Sequence, residues 1–140
     1  MTWITIVDNE YVTMQCSPEK GIIHHTFHKA ISGEVFRDYL NTGVETMEEH
    51  GITKWLSDDR KNLVIPEDDI QWSLSDWGER ALAAGWQYWA IVVPEDYDGR
   101  EMMASLRKHY QNKGLHLQVF VTPEQAIKWL ETADLEEDSD

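Results

Sequence analysis

The chain has 140 residues, 41% of them hydrophobic, with seven Trp, five Tyr and three Phe, which suffices for one core and not for two. Its formal net charge of −14, with no basic stripe interleaved with aromatics, excludes a nucleic-acid backbone as partner and disfavours a grip on anionic membranes. The single cysteine, Cys16, excludes an internal disulfide and a cysteine metal cage.

The opening stretch MTWITIVDNE lacks a basic and then apolar leader pattern, and no apolar run reaches spanning length. A soluble, cytoplasmic protein of a reducing compartment is expected. Residues 3–7 alternate as a strand and end at the turn pair Asp8-Asn9. Residues 11–16 and 22–28 read as two more strands around the turn SPEKG, so the chain starts with an antiparallel meander.

Ser32 reads as the cap of a helix over 32–50, whose apolar face carries Phe36, Leu40, Val44 and Met47 and which ends at Gly51. The stretch GITKWLSDDRKNLVIPEDD then gives a short strand at 54–57, a polar turn at 58–62 and a helix opening at Pro66. A helix between two strands implies a parallel crossover. The helix over 66–84 presents Ile70, Leu74, Trp77, Ala81 and Ala84 to the core. Residues 88–93 (YWAIVV) are apolar without alternation, as in a strand covered on both faces. A third helix near 99–113, a strand at 116–121 and a last helix at 123–133 complete the pattern. Thr122, Pro123 and Gln125 are the clearest cap signal in the chain.

The expected fold is therefore α/β, a layered sandwich with a mixed sheet, antiparallel at its early edge and parallel in its core, flanked by about four helices. Residues 1–133 form the single domain. Residues 134–140, five of which are acidic, are expected to be a disordered tail.

Candidate chemistry is sparse. His24, His25 and His28 suggest a ligand set, but strand alternation puts His25 on the opposite face. His24 and His28 would lie about 13 Å apart, too far to share one zinc. No metal site and no cofactor are expected, and the segment reads as a half-exposed strand. Cys16 reads as a small buried hydrophobe, and no catalytic or phosphate-binding motif occurs. Asp58, Asp59, Arg60 and Asn62 follow the carboxyl end of a central strand, where open α/β sheets bind ligands. Asp68 and Asp69 open the next helix. Trp72 points away from that helix's core stripe. These seven residues form the expected binding surface, with its carboxylates in solvent.

The segments GIIHHTFHKAISGEVFRDYL, ITKWLSDDR, IPEDDIQW and LAAGWQYWAIVVPED, followed by EQAIKWLE, resemble small bacterial STAS-like (SpoIIAA-like) proteins. The resemblance spans residues 21–131. It implies a sheet flanked by helices that acts by binding, without catalysis, and it relates the chain to lipid-transfer domains. Where the antagonists of that family carry a phosphorylatable serine, this chain has Pro66-Glu67-Asp68-Asp69, a fixed negative charge in place of the phosphate. The expected function is a non-catalytic STAS-like module that contacts a protein partner. The alternative is a small carrier of an apolar or lipid-like ligand held between sheet and helices. An enzyme built on the carboxylates is not expected, and edge-strand pairing into a homodimer is compatible with the pattern.

Overall fold

The computed structural model describes residues 3–61, 65–93 and 97–138. Six strands form one sheet in sequence order: β1 (Ile4–Asp8), β2 (Val12–Ser17), β3 (Ile22–Phe27), β4 (Lys54–Asp58), β5 (Tyr88–Val92) and β6 (His116–Phe120). The first two pairings are antiparallel and the other three parallel, as the sequence pattern requires. The helices are α1 (Gly33–His50), α2, α3 (Tyr97–Asn112) and α4 (Pro123–Asp138). Here α2 is one run made of Glu67–Trp72, a π-helical turn Ser73–Trp77 and Gly78–Ala83.

Strand alternation sorts the core into two layers. Ile23, Trp55, Trp89 and Ile91 point to one face, where they pack with Phe36 and Val44 of α1, Trp77 of α2 and Leu106 of α3. Ile22, Leu56, Tyr88 and Ala90 point to the other, where α4 covers them with Ala126, Leu130 and Ala133. Three helices thus crowd one face and a single helix shields the other. Two ion pairs fasten α4: Lys20 with Glu131, and the buried Lys54 with Asp134 at 2.9 Å. The last helix runs to Asp138, beyond residue 134.

The caps show where local signals were sufficient. The Gln125 N–H donates to Thr122 Oγ1 at 3.3 Å, which is the cap read from the sequence. Ser32, by contrast, makes no side-chain cap. The N–H of Gly33 instead donates to Asp69 Oδ2 at 2.8 Å, so a carboxylate of α2 serves the first turn of α1. Among the described residues no helix is long and apolar enough to cross a membrane.

Gly43 fixes the distance between α1 and the sheet. A Cβ built there would lie 2.3 Å from the ring of Trp55, which is 2% exposed. Gly43→Ala is therefore expected to cost about 1–3 kcal/mol by overpacking, measured as a lower urea midpoint at unchanged m-value. A change below about 0.5 kcal/mol would mean that the helix can lift away at no cost.

A buried aromatic pocket as the candidate functional site

The expected surface does not assemble as one patch. Asp58 and Asp59 are adjacent on an extended chain, and so they leave the sheet on opposite faces. Asp58 is held by Arg60 in a two-point pair, with Nε to Oδ1 at 2.9 Å and Nη2 to Oδ2 at 2.8 Å. Burial pushes the Asp58 carboxyl up, but the Arg60 hydrogen bonds and charge outweigh it and hold the group below its ordinary range. Asn62 lies outside the described residues.

Asp68 and Asp69 line an open cleft with Arg37, where the first turns of α1 and α2 meet. Asp69, 2% exposed, accepts from Gly33 and from Arg37 Nε at 3.1 Å. It occupies the positive end of α1 that a foreign anion would otherwise seek. Trp72 is half-buried, edge-to-face on Phe36 at 6.5 Å, with the Arg37 guanidinium 5.1 Å over its ring. Asp69 and Trp72 thus fasten α2 to α1. The expectation of solvated carboxylates fails for Asp58, Asp59 and Asp69, each at most 3% exposed.

Asp59 enters the three-helix face and there closes a chain of buried polar groups. Trp55 Nε1 donates to His25 Nδ1 at 2.9 Å, and His25 Nε2 lies 2.9 Å from Asp59 Oδ1. An indole nitrogen can only donate, so Nδ1 of His25 carries no proton. The proton is on Nε2 and is donated to Asp59. The imidazole is thereby fixed as one neutral tautomer, and it cannot take a second proton without losing Trp55. The expected half-exposed histidine strand is wrong at this position, since His25 is 3% exposed.

Above this chain lies a cavity of about 60 Å³, at the carboxyl ends of the parallel strands and under α1, α2 and α3. Its walls are mostly aromatic: Trp77 and Trp86 meet edge to face at 5.3 Å, and Trp86 meets Trp89 at 5.4 Å and Tyr110 at 5.1 Å. The π-helical turn of α2 supplies Ser73 and Trp77 to the lining. Gly78 beside that turn admits Tyr110, whose hydroxyl donates to the Ser73 carbonyl at 3.1 Å; a Cβ on Gly78 would meet the Tyr110 hydroxyl oxygen at 2.6 Å.

The indoles of this layer are satisfied. Trp77 donates to the Leu40 carbonyl, Trp86 to the Tyr88 carbonyl, and Trp89 to Ser57 Oγ at 2.8 Å. Two lining groups are not. Among the described residues Asp59 Oδ2 and the Tyr39 hydroxyl have no hydrogen-bond partner, although the residues are 3% and 4% exposed. Burial, and then the Asp59 charge, pushes the Tyr39 phenol far above its ordinary range and keeps it protonated. Buried polar groups of folded proteins are almost always paired, so two unpaired ones lining the same cavity call for a partner there.

Among the described residues no three His, Cys, Asp or Glu side chains are grouped to hold a metal ion. No family model matches the chain, and no curated protein matches it in sequence.

Proposed function

We propose that the chain is a non-catalytic, STAS-like binding domain whose ligand is a small molecule seated in the aromatic pocket between the sheet and α1–α3. The observation that carries this is the pair of polar atoms, Asp59 Oδ2 and Tyr39 Oη, that have no hydrogen-bond partner among the described residues and line a mainly apolar cavity. A pocket of mainly apolar walls with a few convergent polar groups is the usual form of a small-ligand site. The volume of about 60 Å³ argues against a long acyl chain, so the carrier reading narrows from a lipid to a compact molecule or to one end of a larger one. A STAS-type contact with a protein would fall on Glu67 and Asp68, the exposed acids that open α2. It has less support, because Asp58, Asp59 and Asp69 are engaged within the fold and Trp72 packs on α1.

The test is native mass spectrometry of the protein as purified from cells, followed by thermal melting. A small-molecule adduct is expected, released by acid. Adding the released compound back at about 100 times its Kd should stabilise the fold by about 2.7 kcal/mol, a rise of several degrees in Tm. Protein of bare mass whose Tm no small compound raises would eliminate the reading.

A further inference from the structure

We infer that the pocket is built for a small organic monocation, a protonated primary or secondary amine with an apolar body. This rests on the proposed ligand-binding reading and specifies the ligand's chemistry.

The argument is one of charge balance in a dry site. The His25 imidazole is held neutral by the indole proton it accepts from Trp55. It supplies Asp59 with one hydrogen bond and no positive charge. Among the described residues, the lining includes no lysine or arginine. The pocket therefore carries a carboxylate without a counter-ion, and such a group is costly to bury unless it is paired. A monocation is the simplest complement. The free atoms also accept hydrogen bonds in the right number for an ammonium group: Asp59 Oδ2, the lone pairs of Tyr39 Oη, and the remaining lone pair of Ser57 Oγ beyond the one used by Trp89.

The walls add a second, independent preference. Trp77, Trp86 and Trp89 line the cavity together with Tyr110, and aromatic faces attract cations through their quadrupoles most strongly where water is excluded. An anionic ligand would meet both Asp59 and these faces with the wrong sign. A neutral ligand would leave the Asp59 charge uncompensated. The volume suits an ammonium group with a few carbons, or the aminomethyl end of a longer molecule. A water bridging Tyr39 and Asp59 is the competing occupant, and it would give no selectivity for charge.

The test uses three isosteric probes, n-propylammonium, 1-propanol and propionate, titrated into the full chain. Binding is read from the indole N–H signals of Trp55 and Trp89 in nitrogen–proton NMR spectra. Propylammonium is expected to shift these signals saturably, and to bind roughly tenfold or more tightly than propanol, with propionate inert. Asp59→Asn keeps an oxygen for His25 and removes the charge, so it should erase that preference while the far-UV spectrum stays native. If propanol binds as tightly as the amine, or if Asp59→Asn retains the preference, the charged ligand class is overturned and the pocket reading stands. If none of the three probes moves an indole signal, the cavity holds only water and both fall.

Discussion

Replacing His25 by leucine is expected to cost about 3–5 kcal/mol of unfolding free energy, among the largest effects available to a single change in this chain. Leucine nearly matches histidine in volume, so the cost is electrostatic in origin. The variant leaves the Asp59 carboxylate with no hydrogen bond and the Trp55 indole N–H with no acceptor, both in the buried layer. An unmade hydrogen bond to a buried neutral group costs about 1–3 kcal/mol, and more to a charged one. The double variant His25→Leu/Asp59→Leu removes the orphaned charge together with its partner and should recover at least about 1 kcal/mol relative to His25→Leu alone. Urea unfolding of the two variants and the parent is the measurement. A loss below about 1 kcal/mol for His25→Leu would show that water reaches Asp59, and the dry, charged pocket would be wrong.

The architecture was legible in the sequence because its signals are local. The stripe of Phe36, Leu40, Val44 and Met47, the cap at Thr122 and the unalternating run at Tyr88 each belong to one element. The pocket was not legible because it depends on register between elements. The strand at Lys54 was expected to end at Ser57, one residue before its actual end at Asp58, which hid the continuation of the pleat. In the parallel pairing His25 lies opposite Ser57, and two residues further along the same face comes Asp59. The one clue in the sequence is the separation of His25 from His24 and His28 by alternation, which on its own argues only against a metal.

Two other residues were misjudged for the same reason. Ser32 has the composition of a cap, but the anion that serves α1 is Asp69, 36 positions after the Gly33 whose N–H it accepts from. Trp72 points away from the sheet-facing stripe of α2, as helical geometry demands. That direction is partly filled by a neighbouring helix, through Phe36 and Arg37, and is not left wholly to solvent. A helix in a layer of three has a lateral face, which a pattern of core and surface positions does not represent.

Between pH 6.5 and 4 the fold is expected to lose about 3 kcal/mol of stability through His24 alone. His24 lies on the α4 face of β3, near Trp3 and the Asp58–Arg60 pair. Burial first, then the adjacent His25, holds its pKa down at about 4 against an ordinary 6.5; Asp58 pulls the other way, and Arg60 adds the smallest push down. A folded-state pKa below the unfolded value means that the unfolded chain binds the proton first on acidification. The contribution is therefore complete above pH 6.5, falls as pH drops through the window, and is exhausted near pH 4. The depressed carboxyls of Asp58 and Asp134 add a second loss only below about pH 4, as the pH falls past the unfolded carboxylate range. The two losses are thus separable on the pH axis. His24→Gln should flatten the stability profile between pH 6.5 and 4 and leave the fall below pH 4 in place. A profile whose slope in the upper window survives that substitution would assign the upper loss to another group and show His24 to be open to water.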